Sequence, residues 1–204
     1  YLAPTNGAVI ILLGGHGANR DAMLPEAEML ASAGYGILAL EQRACAGQLA
    51  TLGYREAEDV LLAVDYALRQ PGVMWVGALG FSAGGVAVIR AAAQDERIRA
   101  VVAEGNYASL LEEMSPAPGA ALAWLEWQLH PLAAGFYALF TGIWPGQVNP
   151  QADLARRQMV DFDGTFAPGA MVYFVMKGSS PSDALKRAER FINHVAQEGV
   201  ITLA

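Results

Sequence analysis

The chain has 204 residues, of which 54% are hydrophobic and 16% charged, and its formal net charge is −7. This length and hydrophobicity suit one globular domain with a sizeable core, and they exclude a disordered chain. The 13 Lys and Arg form no basic cluster, which argues against nucleic-acid binding. One cysteine excludes an intrachain disulfide framework, and three scattered histidines predict no metal site. No cofactor is predicted.

No run of 18 uncharged apolar residues appears, so the sequence predicts no membrane-spanning segment. The chain begins with Tyr1, and the first predicted strand starts within ten residues. We therefore expect it to be a piece of something longer, with any targeting signal outside it. The sequence does not determine the cellular compartment of the protein, although the cytoplasm is favoured.

Strands and helices alternate through the first half of the chain. Short apolar runs predict strands over residues 8–13, 36–40, 74–79 and 99–103, of which the first reads as buried on both faces of a sheet. Helical spacing predicts helices from about residue 23 to Gly34, over residues 55–69 and over residues 86–93. This alternation predicts an α/β fold with right-handed crossovers and a doubly wound, mostly parallel sheet.

Residues 107–149 break this rhythm as an apolar, lid-like helical insertion. Residues 120–144 are rich in Trp, Leu, Phe and Ala, and Pro131 is expected to split them into two helices. Such helices could cap a substrate site, dock a partner, rest on a membrane surface or fill ordinary core. Order resumes with a strand over 170–176, a helix over 183–197 and a strand from 200, within one domain spanning 1–204.

The third predicted strand runs directly into Gly80-Phe81-Ser82-Ala83-Gly84, and a small-residue helix follows. A G-x-S-x-G between a strand and a helix predicts a nucleophile elbow. Glycines flank the serine there because the turn is strained and the helix must pack close to the strand. The serine oxygen then projects above the sheet beside a helix N-terminus.

Together these segments resemble the α/β-hydrolase superfamily, and within it the bacterial esterases, dienelactone hydrolases and prolyl-peptidase-like enzymes. LLGGHGANR (residues 12–20) stands where the family has its HG-x-G oxyanion turn, and EQRACAG (41–47) where it has D-x-R-G-x-G. The resemblance implies that Ser82 is the nucleophile. It also implies two oxyanion donors, the backbone N–H of Ala83 and the backbone N–H of His16.

The resemblance leaves the acid and the base open. The family order is Ser, then Asp or Glu, then His. Asp183 follows the strand over 170–176, and Glu104 ends the strand over 99–103, so either could be the acid. The family histidine sits after the last strand, where this chain reaches Ala204. We therefore expect the base to lie beyond the end of this chain.

None of the three histidines in the chain is a well-placed base. His194 falls on the polar side of its predicted helix, which favours a solvated surface residue. His16 is a surrogate base only if its side chain reaches Ser82, and His130 is expected to be structural or part of the lid. Cys45 is expected to be a small buried filler.

Two functions follow. The first is a serine hydrolase, an esterase or acyl hydrolase in truncated or degenerate form. It would act through an acyl-Ser82 intermediate on a small-molecule ester or acyl substrate with an apolar group. The second is a non-catalytic module of the same fold, whose apolar insertion binds a partner or a membrane surface. The sequence specifies no oligomeric state.

Overall fold

The structure, a computed structural model, describes residues 1–115, 123–156, 160–161 and 172–176. The strands of these ranges are β1 Ala8–Leu13, β2 Gly36–Leu40, β3 Trp75–Phe81, β4 Ile98–Glu104, β5 Val160–Asp161 and β6 Val172–Met176. The α-helices are α1 Leu24–Ser32, α2 Glu56–Leu68, α3 Ala83–Gln94, α4 Leu110–Glu113, α5 Ala123–Thr141 and α6 Pro150–Arg156. Short 3-10 helices cover Arg20–Met23 and Pro145–Gln147.

The described strands form one sheet in the order β2-β1-β3-β4-β6-β5, and every paired neighbour is parallel. The chain moves from β1 to β2 in one direction and then returns to place β3 on the other side of β1. The predicted doubly wound parallel sheet is therefore confirmed. In such sheets ligands bind at the carboxyl ends of the strands where the winding direction reverses, which here is between β1 and β3.

The core lies on both faces of the sheet, with β1 at its centre. All six residues of β1 are buried. Val9, Ile11 and Leu13 join a cluster with α2 and α3, whereas Ile10 and Leu12 join one with α1. A strand covered on both faces has no solvent-facing position, which explains why β1 is a continuous apolar run.

Helix α3 approaches the sheet closely because two glycines leave room for it. A Cβ on Gly80 would overlap the carbonyl oxygen of Gly84. A Cβ on Gly84 would overlap the carbonyl oxygens of Leu13 and Gly14. The first turn of α3 therefore lies against the ends of both β1 and β3, and the helix begins at Ala83, three residues before its predicted start.

A buried carboxylate shapes the turn that leads into α2. The side chain of Glu56 accepts hydrogen bonds from Thr51 N at 2.7 Å, Thr51 Oγ1 at 2.6 Å and Gly53 N at 2.9 Å. Gly53 has φ 106°, and a Cβ there would meet Val86 of α3. The turn therefore packs tightly on α3.

Two tyrosines join this turn to later parts of the chain. Tyr107 donates to the carbonyl of Leu52, and Tyr137 of α5 donates to that of Thr51 at 2.9 Å. Burial raises the pKa of Tyr137 to about 12 and also raises that of Tyr107. Both hydroxyls therefore keep the proton that they donate at neutral pH.

Two predictions about individual residues are wrong. Helix α5 continues through Pro131 instead of splitting there. A proline inside a helix costs about 3 kcal/mol, and beyond Pro131 the helix is held by hydrogen bonds of Tyr137 and Thr141 to residues 51–55. Cys45 is exposed rather than buried, because it lies in a stretch of the loop, residues 45–49, that faces solvent.

Other differences concern which elements the sequence pattern predicts. The short α4, α6 and β5 lack a clear pattern of their own and were not predicted. The strand predicted over 170–176 is observed as β6. The predicted helix over 183–197 and the strand from 200 lie outside the described residues.

The glycine contacts predict the effect of two alanine substitutions. Gly84→Ala should lower the free energy of unfolding by about 3 kcal/mol or more, because its Cβ meets backbone that cannot move aside. Gly135→Ala is the matched control, since a Cβ at that α5 position meets nothing within 4 Å. It should be neutral or stabilise the protein by up to about 1 kcal/mol. Urea unfolding of both variants tests this, and equal stability would contradict the close approach of α3.

Candidate active site

Ser82 occupies a strained turn between β3 and α3. Its φ is 53° and its ψ is −120°, and Leu52 is the only other non-glycine residue with positive φ in the described part of the chain. Residues held in such regions cost about 1–3 kcal/mol each. The N–H of Ser82 donates to the Glu104 carbonyl at 2.7 Å, and the Ser82 carbonyl accepts from Val86 N at 3.1 Å. The flanking backbone therefore holds the strained conformation.

The turn after β1 lies directly beside Ser82. A Cβ on Gly15 would be only 3.2 Å from the Cβ of Ser82, a tight contact that glycine avoids. A hydrogen bond of 3.0 Å from Ala18 N to the Gly15 carbonyl closes this turn around His16. Ala83 is the first residue of α3, where amides have no partner within the helix and the helix dipole is positive. The two backbone segments predicted to supply oxyanion donors thus flank one serine.

Gln42 ties the loop after β2 to the turn after β1. Its side chain is buried, and its Nε2 donates to the carbonyl of Gly14. The next residue, Arg43, holds the same loop to α2 through Asp59, at 2.5 and 2.8 Å. Gln42 is a functional candidate that the sequence did not reveal. The sequence feature that could have indicated it is a polar residue just past the carboxyl end of a predicted strand, since ligand sites of parallel sheets lie at that edge.

An aromatic ring borders the site. Phe81 immediately precedes Ser82, and 45% of its surface is exposed. A Cβ on Gly15 or on Gly105 would each lie 3.3 Å from this ring, so Phe81 packs between two glycine turns. The exposed part of the ring offers apolar surface next to the serine hydroxyl.

The candidate acids and bases have different positions. Glu104 ends β4 opposite Phe81 in the register, so its backbone adjoins Ser82. His16 lies in the turn after β1 with an exposed side chain. His130 Nε2 is 3.4 Å from Ser115 Oγ and 3.3 Å from the Leu111 carbonyl, which agrees with a structural role. Asp183 and His194 lie outside the described residues.

Two properties of the described ranges bear on other functions. No three of their His, Cys, Asp or Glu residues come together as a group that could hold a metal ion. None of their helices is both long and apolar enough to cross a membrane.

The strain at Ser82 predicts a difference between two substitutions. Ser82→Gly should be more stable than Ser82→Ala by about 1 kcal/mol, because glycine tolerates positive φ and alanine does not. The larger entropy that glycine loses on folding, about 0.5–1 kcal/mol, keeps the difference small. Chemical denaturation of both variants measures it, and an alanine variant at least as stable as the glycine variant would contradict the strain.

Comparisons with known proteins bear on the fold. No protein-family model and no curated protein matches the sequence. The structure is similar to esterase Pf2001 of Pyrococcus furiosus, with a TM-score of 0.60 and 21% identity over 93% of this chain and 83% of that one. It is also similar to Est1E of Butyrivibrio proteoclasticus, with a TM-score of 0.60 and 15% identity over 95% and 93% of the two chains. An acetyl xylan esterase from Paenibacillus has a TM-score of 0.56 and 14% identity over 95% and 76%. These likenesses show that the chain has the α/β-hydrolase fold.

Proposed function

We propose that this chain is a serine hydrolase that cleaves a small carboxylic ester through an acyl-Ser82 intermediate. The observation that carries the proposal is the strained Ser82 turn, which lies between the N-terminus of α3 and the glycine turn after β1. A nucleophilic serine needs such a turn at the carboxyl edge of the sheet, and Ser82 is half-buried there. Esterases of the same fold among the structural neighbours add support.

The chemistry proceeds in two steps. Ser82 Oγ attacks the ester carbonyl carbon, a general base takes the hydroxyl proton, and the alcohol leaves with a proton returned by that base. Water then attacks the acyl-Ser82 ester and releases the carboxylic acid. The backbone amides of Ala83 and His16 stabilise the tetrahedral oxygen, and removing one such donor typically costs about 10²–10³ in kcat. Glu104 or Asp183 orients the base.

The surroundings of Ser82 favour a substrate with an apolar group. The exposed ring of Phe81 can contact an acyl or aryl group held at Ser82. One structural neighbour, Est1E, was solved with ferulic acid bound, which is compatible with an aromatic acid beside the serine. A lid role for the insertion over 107–149 is part of this proposal.

A fluorophosphonate probe tests the nucleophile. The full-length protein, with its general base, should be labelled at Ser82, and labelling should vanish in Ser82→Ala because the reacting oxygen is gone. Ser32→Ala removes another serine hydroxyl, exposed on α1, and should be labelled like the wild type. Mass spectrometry of the labelled peptide identifies the site. A well-folded full-length protein that stays unlabelled would overturn the proposal and favour the non-catalytic module.

Gln42 should position the oxyanion turn in this reaction. Gln42→Leu removes the hydrogen bond to Gly14, so the turn carrying His16 loses its fixed distance from Ser82. In the full-length protein we expect kcat for a p-nitrophenyl ester to fall about tenfold or more with a smaller change in KM, because misplacement weakens transition-state contacts most. Stability should fall by about 1 kcal/mol.

Gln48→Leu is the matched control, since Gln48 lies in the same loop with an exposed side chain. Its kcat and KM should stay near the wild-type values. An unchanged kcat in folded Gln42→Leu would show that the hydrogen bond has only a structural role.

A further inference from the structure

Helix α5 is fixed to the protein through one face. On that face, His130 reaches Leu111 and Ser115, Tyr137 donates to Thr51, and the carbonyl of Thr141 accepts from Arg55 Nη2 at 3.2 Å. Ala134, between them, is 1% exposed. From His130 to Thr141, the inner face of α5 therefore contacts its own chain.

The opposite face of α5 carries large apolar side chains in solvent. These are Leu129, Leu132, Phe136, Leu139 and Phe140, which are 48–76% exposed. At about 100° per residue they fall within an arc of about 100° that points away from the inner face. We call these five residues the outer stripe.

The outer stripe is larger than an incidental surface feature. Five such side chains at these exposures present roughly 600 Å² of apolar surface. Contiguous apolar patches on monomers rarely exceed a few hundred Å² unless they bind something. A standard interface covers about 800 Å² on each partner. The stripe and the residues at its rim could therefore supply most of the area that one partner contributes.

Charge distinguishes the possible occupants. No Lys or Arg occurs between residues 100 and 155, and the chain is acidic overall. Helices that lie on anionic membranes need cations on their polar face, but here that face is turned inward. An uncharged stripe can pair with an identical stripe without burying any charge.

We propose that the outer stripe is the interface of a homodimer in which α5 packs antiparallel against its copy across a twofold axis. The axis passes near the middle of the stripe, between Leu132 and Phe136. Leu129 then faces Phe140 of the partner subunit, and the two ends of the stripe are covered symmetrically. This inference rests on the exposed face of α5 and not on the chemistry proposed for Ser82.

Sedimentation velocity tests the dimer. The wild type should sediment as a dimer at micromolar concentration. Leu139→Glu should raise the dimer Kd at least a hundredfold, because the symmetry places two carboxylates in the apolar interface. Leu62→Glu is the matched control, since Leu62 is also a helical leucine, 66% exposed but on α2. It should leave the dimer intact.

Three results would overturn the proposal. The first is a wild type that stays monomeric at 100 µM, and the second is a Leu139→Glu variant that stays dimeric. The third is a monomeric protein that binds phosphatidylcholine vesicles through the outer stripe and floats with them in a density gradient. That result would assign the stripe to a neutral lipid surface. Fluorophosphonate labelling of the same samples shows separately whether Ser82 reacts.

A cross-link tests the symmetry. In a Cys45→Ser background, which removes the exposed native thiol, Phe136→Cys lies close to the proposed axis. It should form a covalent dimer under mild oxidation, and Leu62→Cys should not. Cross-linking of both variants to the same extent would indicate random collision and contradict the antiparallel arrangement.

Discussion

The close approach of α3 to the ends of β1 and β3 is the constraint on which the site depends. It exists because neither Gly80 nor Gly84 has a side chain. With the helix that near, the chain must reverse sharply at one residue, and Ser82 takes the positive φ that the reversal requires. The same packing directs the helix N-terminus at the crevice where the sheet changes its winding direction. Backbone strain, helix dipole and serine position therefore have a common steric cause.

Polar contacts below the carboxyl edge keep this arrangement in place. Gln42 holds the carbonyl of Gly14, and Glu56 holds three donors of the turn that packs on α3. Both side chains are buried, so an unpaired group at either position would be costly. The loops around Ser82 thus depend on hydrogen bonds whose partners are distant in sequence.

Helix α5 differs from the other described helices in the direction of its apolar side chains. Its polar and small residues, including Tyr137 and Thr141, contact the protein, while the outer stripe faces solvent. A helix that only filled core would have the reverse arrangement. Helix α5 therefore combines an attachment to the turn before α2 with an apolar face that no described part of its own chain covers.

The sequence by itself determined the parallel α/β architecture, the bounds of β1 and β2, and the serine turn. These follow from local patterns, because a strand buried on both faces must be apolar throughout and a sharp βα turn needs glycine at fixed positions. Only the tertiary structure decided that Gln42 reaches Gly14, that Cys45 is exposed, that α5 continues through Pro131, and which face of α5 meets solvent. These depend on contacts between residues far apart in the chain. The spacing of residues within one segment carries no information about such contacts.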